Sequence, residues 1–136
     1  MNLIVCLDDR NGMLFANRRQ SRDAAVCQKI LQLSADHTLW MNDYSAKLFA
    51  GMGGRISVAD DFLGKSADGD YCFVENSDVL PYREKIEKVI IFRWNRHYPS
   101  DRKFPDTLLK DGFLLMETTD FPGKSHERIT MEVYSC

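Results

Sequence analysis

The chain opens Met1-Asn2-Leu3-Ile4-Val5-Cys6-Leu7 and runs directly into Asp8-Asp9-Arg10-Asn11-Gly12. The apolar run 3–7 does not alternate with polar residues and is too short for a buried helix. It reads as a strand covered on both faces, the kind found in a parallel sheet with helices on each side. The polar run after it reads as a turn, because Asn-Gly favours positive φ. A secretory leader is not the expected reading, since a basic n-region is missing and the charged turn cuts the apolar run short.

Working outward, the pattern alternates. Met13-Leu14-Phe15 is a short apolar stretch, followed by a basic loop, Asn17-Arg18-Arg19-Gln20-Ser21. A helix is expected over 22–33, with Ser21 as N-cap, Asp23 in the first turn, and Val26, Cys27, Ile30 and Leu31 at helical spacing. Strands are expected at 38–41, 56–58, 71–74 and 88–94. Asn42 would cap a second helix over 44–50, ended by Gly51, and Pro81 would open a short one over 82–86. The chain closes with a strand pair, 112–118 and 127–134. In the latter, Ile129, Met131 and Val133 alternate with Thr130, Glu132 and Tyr134. This order predicts an α/β fold, a mixed and mostly parallel sheet flanked by helices, with an antiparallel C-terminal strand pair.

Composition bounds the rest. The 136 residues suit one domain over 1–136, and 11% aromatic residues exclude a disordered polymer. The net charge of −2 argues against a globally basic nucleic-acid surface. No apolar run reaches the length of a membrane span. Cys6, Cys27, Cys72 and Cys136 are scattered without C-x-x-C spacing, so free thiols in a reducing cytoplasm are expected. His37, His97 and His126 fall in no ligand pattern, so no metal site is expected. Asp60-Asp61 and Asp68-Gly69-Asp70 read as solvated turns, since their spacing is not that of an EF-hand loop.

The layout resembles dihydrofolate reductase over nearly the whole chain. The likeness is carried by the order of short motifs: the first strand with its Asp turn and Gly12, Asp23 at the first helix, Trp40-Met41 before the second, Phe104-Pro105-Asp106, and Ser125-His126 before the last strand. The resemblance implies a dihydrofolate-reductase-like scaffold, shortened, with Asp23 at the position of the acidic residue in the family's pterin pocket. There Asp23 would grip an N–C–N edge of a small heterocycle or assist ring protonation, its pKa raised by desolvation.

Two departures set the functional expectation. Where the family has a Gly-Arg-Lys/His-Thr stretch for cofactor phosphates, this chain has Asn42-Asp43-Tyr44-Ser45. Where the family has Gly-Gly after a strand, it has Glu75-Asn76. Both changes add negative charge or bulk where a pyrophosphate would approach main chain. The sequence therefore predicts no ordinary use of NADPH and no other cofactor, with a small heterocyclic or nucleotide-like ligand received near Asp23. Arg18, Arg19 and Arg22 are candidate anion-binding groups. One alternative is an active NADPH-dependent reductase of dihydrofolate or a related pterin or pyrimidine, gripping phosphate through Arg18, Arg19 or Lys47. Another is a nucleic-acid-associated protein using Arg93, Trp94, Arg96, Tyr98, Arg102 and Lys103. Ser125 and His126 are not expected to form a nucleophile–base pair, because strand neighbours point to opposite faces. A homo-oligomer is compatible with the sequence.

Overall fold

The computed structural model describes residues 1–136. Its strands are β1 (Asn2–Leu7), β2 (Gly12–Phe15), β3 (Arg18–Arg19), β4 (Leu39–Met41), β5 (Ile56–Val58), β6 (Tyr71–Phe73), β7 (Lys88–Arg93), β8 (Arg102–Lys103), β9 (Leu114–Phe121) and β10 (Ile129–Ser135). The helices are α1 (Ala24–Leu33), α2 (Asp43–Ala46), α3 (Phe62–Lys65) and α4 (Asp106–Leu109), with 3-10 turns at Lys47–Phe49 and Leu80–Lys85. No helix is long and apolar enough to cross a membrane.

Seven strands form one sheet in the order β5-β4-β6-β1-β7-β10-β9. β1 lies at its centre, parallel to β6 on one side and to β7 on the other. β10 runs antiparallel to β7, and β9 antiparallel to β10. The expected mixed sheet with an antiparallel C-terminal pair is therefore present. Leu3, Ile4, Val5 and Leu7 are fully buried, as the unalternated apolar run required. Their side chains part to the two faces. Leu3, Val5 and Leu7 pack with Cys72, Val89 and Ile91, while Ile4 packs with Phe73, Ile90 and Phe92 beneath the Val26, Cys27 and Ile30 face of α1. All four cysteines are free thiols.

Several local expectations need correction. Asp23, not Ser21, is the N-cap of α1: its backbone is extended and its carboxylate accepts the Ala25 N–H at 2.9 Å. The second helix is one turn that tightens to 3-10, and the segment at Pro81 is 3-10 throughout. Positive φ in the first turn falls on Asn11 and not on Gly12. Gly12 is small for another reason. A Cβ there would sit 2.6 Å from the Gln20 amide and 2.8 Å from the Asp8 carboxylate. The basic loop is no loop. β3 folds back on β2, and β8 pairs with the other side of β2, making a separate three-stranded sheet. Ala16 and Asn17 connect β2 to β3 with φ of 51° and 60°. Two positive φ angles in a two-residue loop are what a type I′ hairpin requires, and alanine is a poor residue for it.

Replacing Ala16-Asn17 by Asn-Gly should therefore raise stability by about 1 kcal/mol. Urea unfolding followed by circular dichroism reads this as a higher midpoint at unchanged m-value. An unmoved or lowered midpoint contradicts the turn assignment.

Candidate functional site

The polar residues singled out from the sequence converge where the parallel strands end. Asp8 follows β1, Asn42 follows β4, Glu75 closely follows β6, and Trp94 follows β7. Carboxyl ends of parallel strands are where α/β folds place ligands, because the connecting loops diverge there. Two polar networks fill this region.

The first is built on Asp23, which is 3% exposed. Besides capping α1, it accepts the backbone N–H of Lys124 at 2.9 Å, Ser125 at 2.8 Å and His126 at 3.1 Å. The His126 ring bonds the same carboxylate through Nδ1 at 3.0 Å. Five donors thus converge on two oxygens. Burial alone would raise the pKa of Asp23, but the backbone N–H of Lys124, the His126 ring and the N–H groups of Ser125 and Ala25 overcome it and hold the group at about 2. The expected upward shift is corrected: burial acts in that direction, but the donors favour the charged form more strongly. The loop carrying them sits tight, since a Cβ on Gly123 would lie 2.6 Å from Asp23 Oδ2 and 2.7 Å from the His126 carbonyl.

His126 extends this network. Its ring stacks on buried Trp94, with centroids 4.6 Å apart and planes 23° from parallel. Its Nε2 lies 3.0 Å from Ser21 Oγ and 3.1 Å from the Tyr98 hydroxyl. Ionised Asp23 accepts from Nδ1–H, and Nε2 faces two hydroxyls, each able to donate to it or to accept from it. Ser125 takes part only through its main-chain N–H. The serine that meets His126 is Ser21, which is 105 residues away, and no local pattern announces that pairing.

The second network is built on Glu75, also buried. Arg19 grips it with two bonds, Nε to Oε2 at 2.8 Å and Nη2 to Oε1 at 3.0 Å. Ser45 Oγ donates to Oε1 at 2.8 Å. The Arg19 guanidinium also lies over the Tyr44 ring, 4.5 Å from its centroid, and the Arg19 N–H donates to the Tyr44 hydroxyl at 2.9 Å. Asn42 caps α2 by accepting the Ser45 N–H at 3.1 Å, and its amide donates to Asn76 at 2.7 Å. Arg102 donates to the Asn76 carbonyl at 2.7 Å. Asp43 stands exposed at the start of α2. Of the candidate arginines, Arg19 is turned inward, while Arg18 and Arg22 are exposed. Arg22 borders a recess shared with Ser21, Asp23, Cys27 and Glu75 that holds only about 10 Å³. A larger cavity of about 330 Å³ adjoins His126 and is lined by Trp94, Asn95, Arg96, Glu127 and Arg128.

In the basic–aromatic segment, Arg96 and Lys103 are exposed. Arg93 pairs with Glu132 at 3.0 Å, Trp94 is buried, and Arg102 is bonded as above. No group of three His, Cys, Asp or Glu side chains is arranged to hold a metal ion.

The fold is similar to that of a dihydrofolate reductase from Enterococcus faecalis, solved in complex with NADP(H) and RAB-propyl. The TM-score is 0.66 with 11% sequence identity, over 98% of this chain and 94% of that one. No family profile and no curated protein matches the sequence. The scaffold is therefore dihydrofolate-reductase-like. At this identity the likeness defines the fold alone, and the chemistry has to come from the residues.

Two measurements probe the networks. Because the folded pKa of Asp23 lies below its ordinary value of 3.8, its contribution is complete above that value and is lost as pH falls through about 2. Asp23→Asn should lower stability by about 3 kcal/mol at pH 7 and flatten the acid limb of the stability–pH curve. An acid limb as steep as wild type would remove Asp23 from this role. In a double-mutant cycle of Arg19→Leu and Glu75→Leu, each single change should cost about 2–4 kcal/mol. The double change should cost clearly less than their sum, whereas strict additivity would deny the buried pairing.

Proposed function

We propose that this chain keeps a dihydrofolate-reductase-like scaffold without ordinary NADPH-dependent hydride transfer, and that any small ligand enters on the Asp23 side. The observation that carries the reading is the Arg19–Glu75–Ser45 cluster. A dinucleotide held in the usual way needs free main-chain N–H groups or unpaired cations for its phosphates. Here the residues do not fit that group. Asn42 already occupies the Ser45 N–H, and Arg19 is neutralised by Glu75. The Glu75 carboxylate stands beside both, and exposed Asp43 adds a second negative charge at the start of α2. Displacing Glu75 would strand a partly buried Arg19 without its partner, which costs free energy.

The Asp23 side has also changed character. The carboxylate that would face an amidine-like edge is already fully bonded to the 122–128 loop. A heterocycle or nucleotide-like ligand on this side would use the cavity bordered by His126, Arg96 and Arg128. Its two arginines favour an anionic group there.

Thermal unfolding with NADPH, dihydrofolate and nucleoside monophosphates tests the reading. NADPH should leave the melting temperature unmoved at concentrations where a true site, at roughly 100 times its dissociation constant, would add about 2.7 kcal/mol. Absorbance at about 340 nm with dihydrofolate present should not fall, because no hydride leaves the nicotinamide. A clear NADPH-dependent stabilisation, or steady loss of that absorbance, overturns the reading and restores the reductase alternative.

A further inference from the structure

We infer that Ser21, His126 and Asp23 form a nucleophile–base–carboxylate relay able to hydrolyse a small anionic ester. The geometry carries it. Asp23 Oδ2 lies 3.0 Å from His126 Nδ1, and His126 Nε2 lies 3.0 Å from Ser21 Oγ. Hydrolytic relays require this connectivity: a carboxylate fixes the ring tautomer, and the far nitrogen removes the hydroxyl proton. The parts are also held in place. Asp23 is fixed by four backbone N–H groups, and the imidazole is clamped between that carboxylate and the Trp94 ring. Held this way, the base has little freedom to leave the serine. Ser21 itself is half-buried, and the cavity of about 330 Å³ adjoins its partner His126.

The scaffold alone does not require this arrangement. A structural carboxylate could be satisfied by main-chain donors without a histidine, and a structural histidine does not need a serine at its second nitrogen. The Tyr98 hydroxyl, 3.1 Å from Nε2 and 3.5 Å from Ser21 Oγ, competes for the same lone pair or donates to the serine oxygen. The substrate class follows from the surroundings. Arg96 and Arg128 outnumber Glu127 in the cavity beside His126, so an ester bearing a carboxylate or phosphate is favoured over a neutral one.

The reaction balances with water alone. Ser21 Oγ bonds to the acyl carbon as its proton passes to Nε2. The bond from that carbon to the leaving oxygen then breaks, and Nε2 returns the proton to the departing alcohol. Water, deprotonated by the same nitrogen, attacks the acyl-serine and releases the acid, restoring the Ser21 hydroxyl. None of these steps depends on the fate of the dinucleotide site.

A fluorophosphonate probe and two nitrophenyl esters, the acetate and the anionic hemisuccinate, test the relay on the intact chain. The probe should give one adduct, located on Ser21 by peptide mass spectrometry. Ser21→Ala, an almost isosteric change, should abolish it while leaving the circular dichroism spectrum unchanged. His126→Gln should slow labelling by about 100-fold or more. The hemisuccinate should turn over about tenfold faster than the acetate at low salt, with the gap closing as salt rises. No adduct on the wild-type chain, an adduct on a residue other than Ser21, or full ester hydrolysis by Ser21→Ala overturns the relay. Equal rates for the two esters overturn the anionic substrate class.

Discussion

A carboxylate taken out of water has to be surrounded by donors, and Asp23 satisfies this by drawing together parts of the chain that are far apart in sequence. One of its partners is local, the Ala25 N–H of the helix it caps. The others lie 101 to 103 residues away in the loop between β9 and β10. An ionised group left unpaired at that depth would cost several kcal/mol, so the loop and the helix are fixed to each other. Everything else at this end of the sheet follows from that attachment. His126 is brought onto Trp94, its outer nitrogen reaches Ser21 and Tyr98, and the recess behind Asp23 is reduced to almost nothing.

Glu75 obeys the same rule at the neighbouring strand ends. Its charge is matched by Arg19 from the small sheet and by Ser45 from α2. Both networks therefore convert the region where an α/β sheet leaves room for ligands into one held together by internal polar contacts. In the hairpin of β2 and β3, the backbone at Ala16 and Asn17 turns Arg19 inward while Arg18 stays exposed, so adjacent basic residues have unrelated roles. A dihydrofolate-reductase-like backbone thus carries a set of paired charges, and the backbone likeness does not specify which charges those are.

Legibility differed between the two levels. Residues 3–7 and 89–92 are readable as strands because unalternated apolar runs have few other outcomes at that length. The alternation of Ile129, Met131 and Val133 likewise marked β10 as half-covered. The small sheet has no sequence signature because its strands β3 and β8 are two polar residues each and owe their pairing to β2, not to any pattern of their own. Ser21 was a reasonable cap by residue type. Asp23 took the position because its side chain could serve the helix and the distant loop together.

The sequence by itself determined the strand–helix order and the central apolar strand, since these are properties of contiguous residues and their spacing. Only the tertiary structure decided what the charged groups do. Arg19 meets Glu75 across 56 positions, and Ser21 meets His126 across 105. Polar side chains carry no periodicity that reports such encounters. Their partners are chosen when burial removes water and leaves each charge to be neutralised by whatever the fold has brought within reach.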